Sequence, residues 1–491
     1  MPTTYPPLVY ARETDKDELR RARQHGRLTR IAPGVYSSET DKSPEEVVRL
    51  RLWEIVGHEM PGAVIVDRSA REGGTDQGGT LHVVAGRARP LQLPGVRVVP
   101  RKGAGRLPGD MPLPGGVWLA SQARSLLENL APTRLTAQGT SRTLTRTELE
   151  VWLDELCAVR GDSAMRRLRD QARELAPQLD AQKAFDTLDG LIGAALATRD
   201  DIAVRSPELR ARASGEPFDT YRLAAFARLA AYLEAQAPDV QPGLLEGAER
   251  RTLLPFYEAY FSNYIEGTEF TLDEAARIIF EHVVPGQRPQ DAHDVLGTYQ
   301  MTSSAEEMRR RPRTPDELLE LLQSRHAILL GARPEMSPGR FKTSANRAGS
   351  TEFMAPEYVR GTLRRGFDAG AALVSPFARA VFLMFLVSEV HPFADGNGRI
   401  ARIMMNAELE GAGEVRVVIP TVYRLNYLAA LKAATHTGND AALVAALAFA
   451  RRWTARVDFT DRSTAEEDLA RTHALRDARE AEDAGVRLVL P

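Results

Sequence analysis

The sequence predicts a multidomain chain: an all-α core, preceded by an α+β region and a helical middle segment. Three observations carry that reading. The chain has 491 residues, about three domains at roughly 100–200 residues each. Short β-branched runs between Gly/Pro turns are confined to its first part, and apolar residues recur at helix spacing through most of the rest. With 43% hydrophobic and 26% charged residues, collagen-like and disordered classes are excluded. Basic and acidic residues nearly cancel, 64 against 66, so no global field points to nucleic acid or membrane.

Residues 1–131 form the α+β region. Val64-Ile65-Val66, Leu81-His82-Val83-Val84 and Val96-Arg97-Val98-Val99 read as strands, separated by Gly73-Gly74, Gly78-Gly79 and Pro94-Gly95. A helix is expected over 121–130. Residues 132–216 form the helical segment and a linker: Leu149, Trp152, Leu153 and Leu156, then Met165, Leu168, Ala172 and Leu175, keep helix spacing, and 205–217 is polar and aperiodic. Residues 217–461 are nearly all helical, and 462–491 is expected to be a charged helix. The N-terminus lacks the apolar core of a secretory signal. The longest apolar stretch, Ala380 to Val387, is far short of the ~20 residues that span a bilayer. A cytoplasmic location without membrane partners is the expectation.

Two scarce residue types narrow the chemistry. Cys157 is the only cysteine, which excludes an intrachain disulfide and a multi-cysteine zinc site. None of the six lysines follows a glycine, so a Walker A loop is absent. Triphosphate chemistry would have to use arginine, backbone amides or a metal.

The stretch His391 to Arg402, HPFADGNGRIAR, joins two helices. Ser375-Pro376 caps the first, whose Phe377, Ala378, Val381, Phe382, Leu383, Phe385 and Leu386 are apolar nearly all round. Ile400, Ile403, Met404 and Ala407 mark the second. Gly396, Asn397 and Gly398 place unhindered N–H groups at a helix N-terminus, a natural anion site. Arg399 and Arg402, three apart, can reach phosphate oxygens. Asp395 can hold Mg²⁺, and His391 can take a proton from an incoming hydroxyl. Together these groups describe nucleotidyl or phosphoryl transfer. Gly396, Gly398 and Ala401 also match a dinucleotide fingerprint, but that fingerprint needs a strand before it, and a capped helix stands there instead.

HPFADGNGRIAR resembles the signature of the Fic family, His-x-Phe-x-(Asp/Glu)-Gly-Asn-Gly-Arg-x-x-Arg, at every fixed position. The resemblance implies an all-α Fic core, with a small β-hairpin flap, that transfers AMP from ATP to a Tyr, Ser or Thr hydroxyl of a protein. It implies His391 as general base, Asp395 as Mg²⁺ ligand, and Gly396, Asn397 and Gly398 as the anion hole. Arg399 and Arg402 would contact phosphates. Doc-type kinases carry lysine where Gly398 stands, so glycine favours AMP transfer over phosphorylation. Arg424-x-x-Tyr427 resembles the family's helix near the adenine; Tyr427 reads equally well as core.

Upstream, Phe256, Tyr257, Tyr260, Phe261 and Tyr264 line one helix side. Ser262 and Glu266 share another face, Gly267 is a C-terminal stop, and Thr271-x-x-Glu274 reads as a capping box. By charge alone Glu266 is a solvated carboxylate. The words SNYIEG resemble the Fic inhibitory motif, (Ser/Thr)-x-x-x-Glu-(Gly/Asn). That resemblance implies that Glu266 pairs with Arg402 and excludes the γ-phosphate, with Ser262 supporting the geometry; in some family members this glutamate serves de-AMPylation. Pro338-Gly339-Arg340-Phe341-Lys342 resembles the flap opening Pro-Gly-x-(Phe/Tyr)-Arg, with lysine in place of arginine.

Near the start, Arg20, Arg21, Arg23, Arg27 and Arg30 fall within eleven residues free of acids. Ahead of a β-hairpin they form what a winged helix presents to phosphates, or a solvated face. The text ELRRARQHGRLTRIAPGVY, PGAVIVDRSA, TLHVVAG and LASQARSLLENLA resembles AbiEi-type antitoxins. That resemblance implies contact with DNA or with a protein partner. A DNA-binding regulator whose Fic domain senses nucleotide is the competing reading.

Overall fold

The computed structural model describes residues 5–87, 89–131, 133, 141–236, 251–348 and 351–491. The chain divides into two compact units, Met1–Gly215 and Glu216–Pro491.

In the first unit, helix Lys16–Gln24 starts at Asp15, whose carboxylate accepts the N–H groups of Asp17 and Glu18. Three short antiparallel strands accompany it, with Val35–Ser37 between Leu8–Tyr10 and Thr29–Ala32. Leu19 and Ala22 turn inward, so Arg20, Arg21 and Arg23 are left on the outer helix face; Arg27 and Arg30 are exposed as well. A six-stranded mixed sheet follows, in the order 91–93, 96–101, 80–84, 64–65, 118–119 and 111–112. Helix Gln122–Asn129 buries Arg124, paired with Asp110 at 2.7 Å. Helices Arg146–Leu175 and Gln182–Ala195 complete the unit with Pro207–Ala213. This last helix lies in the stretch expected to be linker. Ser206 caps it, Leu209 and Ala211 are buried, and Glu150 accepts the N–H groups of Arg205 and Ser206 at 2.6 and 2.7 Å. Seven residues are too few to show a 3.6 period against polar flanks.

The second unit is built around helix Pro376–Val390, capped by Ser375 and buried over most of its surface. Phe382 and Phe385 meet Phe226 edge-on, with centroids 6.3 and 6.1 Å apart, an arrangement favoured by the ring quadrupoles. Helix Asn397–Glu410 packs on it. The two are joined by the loop His391 to Gly396. Helix Leu254–Ile265 is buried nearly all round, wider than the one-sided aromatic stripe of the sequence, because Glu258 is also inside and paired with Arg416 at 2.7 Å. The Thr271–Glu274 capping box forms. A small antiparallel hairpin pairs Arg347–Ala348 with Thr351–Glu352; Gly349 and Ser350 lie outside the described residues.

The C-terminal segment is two short helices, Arg462–Arg471 and Ala478–Asp483, rather than one. His473 takes a left-handed φ of 63° and Asp477 caps the second helix, which breaks the run between them. Ala465, Leu469, Ala474 and Ala481 bury against the cluster that holds Tyr257, Phe261, Trp453 and Phe459. Among the described residues no helix is long and apolar enough to cross a membrane.

Candidate active site

His391 ends the central helix in a left-handed conformation, φ 49°, which is uncommon for a residue with a Cβ. The loop behind it is pinned from several sides. Asn397 accepts the N–H of Phe393 and donates its amide to the carbonyl of Phe393, both at 2.8 Å. Phe393 is fully buried and stacks on His326 at 3.8 Å. His326 accepts the Gly339 N–H on Nδ1 at 2.9 Å, which leaves Nε2 to donate to the Asp395 carbonyl at 3.2 Å. The His391 ring stacks on Phe353, centroids 3.5 Å apart. Burial, reinforced by the charge of Lys342, lowers the His391 pKa to about 4. The imidazole is therefore neutral at neutral pH and able to accept a proton.

The turn that follows depends on glycine. Gly396 has φ 74°, a region that suits glycine. Gly398 opens the next helix, and a Cβ there would sit 2.2 Å from Oε1 of Glu266. The absence of a side chain at Gly398 is what leaves room for the glutamate.

Glu266 caps helix Leu254–Ile265 at its C-terminal end, and Gly267 follows with φ 92°. Arg402 donates from Nη2 to Glu266 Oε1 at 2.7 Å and to the Ser262 carbonyl at 2.8 Å, and from Nε to Ser262 Oγ at 2.9 Å. Burial, the largest single influence, would lower the Arg402 pKa, but the charge and hydrogen bond of Glu266 together with those of Tyr427 outweigh it and the net shift is upward. Ser262, Glu266 and Arg402 thus form one cluster. Tyr427 is buried beside it, its hydroxyl 3.5 Å from Met384 Sδ, and burial raises its pKa.

Arg399 is engaged elsewhere. Its Nη1 lies 2.6 Å from Asp294 Oδ2 and 3.2 Å from Asn263 Oδ1, and its side chain is 3% exposed. Asp294 also accepts Arg333 at 2.7 Å, and Arg333 reaches Asp395 Oδ2 at 3.3 Å. Asp395 Oδ1 takes the Gly396 N–H at 2.7 Å. Asp395 keeps 41% of its side chain exposed, and among the described residues no group of three or more His, Cys, Asp or Glu could hold a metal by itself. One partly exposed carboxylate beside a helix N-terminus fits Mg²⁺, which takes one or two protein carboxylates plus phosphates.

Asp294, Asn263, His326, Arg333 and Phe353 are site residues that sequence reasoning did not single out, and Lys342 was noted only as the departure from arginine in the flap motif. They lie on separate elements, and of them only Asn263, inside SNYIEG, and Lys342 fall within a recognised motif. Arg20, Arg21, Arg23, Arg27 and Arg30 belong to the first unit.

With this geometry in place, the comparison with known proteins is direct. Residues 316–409 match the Fic/DOC family. That segment includes the whole His391 to Arg402 loop and helix start. The chain is 28% identical over 188 residues to protein adenylyltransferase fic-1 of Caenorhabditis elegans, a stretch covering 36% of each chain. It is 29% identical over 189 residues to protein adenylyltransferase Fic of Nematostella vectensis, covering 37% of this chain and 43% of the relative. The match thus spans less than half the length of these curated relatives. A solved structure of Fic-1 from C. elegans aligns at 20% identity with a TM-score of 0.35, covering 65% of this chain and 99% of that one. The Fic/DOC-like segment and its neighbours thus hold the groups that the sequence singled out between His391 and Arg402.

Proposed function

We propose that the second unit transfers AMP from ATP to a Tyr, Ser or Thr hydroxyl of a protein, and that Glu266 holds it in a resting state. The observation that carries this reading is the Arg402–Glu266 ion pair at 2.7 Å, set directly over Gly398 in the loop that also presents His391. In the proposed reaction, the acceptor hydroxyl loses its proton to His391 and its oxygen bonds to the α-phosphorus. The bond from that phosphorus to the β-phosphate bridge breaks, and pyrophosphate leaves. Backbone N–H groups at 397 and 398 would meet the phosphate charge at a helix N-terminus. Asp395 would hold Mg²⁺, which supplies charge neutralisation on the phosphates. Arg402, once free of Glu266, would meet the γ-phosphate.

Intact-mass spectrometry of the Glu266→Gly chain after incubation with ATP and Mg²⁺ tests the chemistry: an added AMP moiety is expected, and its loss when His391→Ala is added. Persistence of the adduct in His391→Ala would contradict the assigned base.

For the first unit, the exposed and acid-free set Arg20, Arg21, Arg23, Arg27 and Arg30 supports contact with DNA phosphates, in the manner of an antitoxin-like winged helix. Among the described residues none of the five forms an ion pair. Filter binding with a salt titration decides between this and a protein partner.

A further inference from the structure

We propose that Lys342 is a positioning residue that fixes the base of the hairpin segment to the catalytic loop and so sets the His391 ring for the acceptor hydroxyl. This rests on the adenylyl-transfer reading above and concerns the same site.

Segment 342–353 touches each of the three residues that open the loop. The Lys342 N–H donates to the Pro392 carbonyl at 2.9 Å. Lys342 Nζ donates to Asn346 Oδ1 at 2.8 Å, and Asn346 Nδ2 donates to the Phe393 carbonyl at 2.9 Å. At the far end of the segment Phe353 lies flat on the His391 ring, with 4° between the planes. Lys342 is only 6% exposed, which a lysine rarely is.

The order of donors gives Lys342 its role. An ammonium group only donates, so it holds Asn346 with Oδ1 toward itself and the amide N–H₂ toward Phe393. A neutral amine still donates, but without the charge that strengthens its bond to Asn346 Oδ1. The hold on Asn346, and through it the stitch to Phe393, is therefore strongest while the lysine is charged. Arginine at the same place would carry a permanent charge; lysine makes the seam titratable.

The surroundings move that titration toward neutral pH. Burial, then the charge of Arg222, lowers the Lys342 pKa to about 8. Arg222, from helix Thr220–Glu234, is held by Asp219 at 2.6 Å and by the Glu389 carbonyl at 3.1 Å. From the catalytic loop His391 faces Lys342 and is neutral in this range. The Glu389 carboxyl on the central helix is bonded to Thr435 and raised by burial. As pH rises through about 8 the ammonium is lost, and the seam loosens.

The test uses full-length chains carrying Glu266→Gly, alone and with Lys342→Met or Lys342→Arg. Self-labelling with labelled ATP is followed from pH 6 to 9.5, and hydrogen exchange is followed over 390–397. The proposal expects Lys342→Met to lower kcat about tenfold, leave KM for ATP within about twofold, and speed exchange over 390–397. It expects Lys342→Arg to keep the neutral-pH rate and exchange protection and to abolish the decline above about pH 8. Unchanged exchange in Lys342→Met, or an alkaline decline retained in Lys342→Arg, would overturn it. If Glu266→Gly itself transfers no AMP at any pH, the adenylyl-transfer reading fails, and the exchange data still decide the role of Lys342.

Discussion

At the level of single residues, the site is a set of charges whose partners were chosen by burial. His391 is neutral because it is enclosed, and this gives a pH dependence with a definite sign. Its pKa is lowered from 6.5 to about 4, so the base form persists until pH falls through about 4. The rate of a Glu266→Gly variant should stay level from pH 7 down to about 5 and fall only below it. An acidic limb centred near 6.5 in a pH–rate profile would show that the ring is not enclosed in the working enzyme. The same depression contributes stability that is complete above 6.5 and is lost as pH falls toward 4. Asp294 stands between Arg399 and Arg333 with 3% of its side chain exposed. Removing it leaves two guanidinium groups short of a partner in a buried setting, so Asp294→Ala should cost about 3–5 kcal/mol. Urea denaturation checks this, and Asp294→Asn should cost less because it keeps a hydrogen-bond acceptor.

At the level of elements, the sequence revealed what is local and missed what is assembled. The helix–loop–helix around HPFADGNGRIAR was legible because capping, period and glycine placement act within a few residues of one another. The Ser375-Pro376 start and the Thr271–Glu274 capping box are of that kind. The network from Asp294 through Arg333 to Asp395 was not legible, because it joins positions about 40 to 100 residues apart. For the same reason Arg399 read as a phosphate ligand, whereas its first partner in the structure is Asp294. The two C-terminal helices were misread as one charged helix, because their buried Ala465, Leu469 and Ala481 are sparse among charges. These helices cover the cluster on which helix Leu254–Ile265 lies, and Tyr264 donates to Asp477 at 3.4 Å. Leu469→Ala, at a fully buried position, should lower stability by about 2–5 kcal/mol. Thermal or urea unfolding measures that loss, and an effect below about 1 kcal/mol would show that the segment is not packed there.

Across the whole chain, a near-zero net charge hides two differently placed sets of arginines. The first unit exposes Arg20, Arg21, Arg23, Arg27 and Arg30, and the second encloses Arg399 and Arg402. This contrast predicts different responses to salt. If Arg20, Arg21, Arg23, Arg27 and Arg30 meet DNA phosphates, the log–log salt slope of binding should be about −0.9 per phosphate contacted. Substituting Arg20, Arg23 and Arg27 with alanine should flatten it; a slope near zero in the parent chain would favour a protein partner. In the second unit the proposal turns on the Arg402–Glu266 pair at 2.7 Å, which would keep Arg402 from a triphosphate. The most direct measurement is the initial rate of labelled-AMP transfer by the wild-type chain, by Glu266→Gly, and by the double variant Glu266→Gly/His391→Ala. The rate should be at least tenfold above wild type for Glu266→Gly and absent in the double variant. Equal rates in wild type and Glu266→Gly would contradict it.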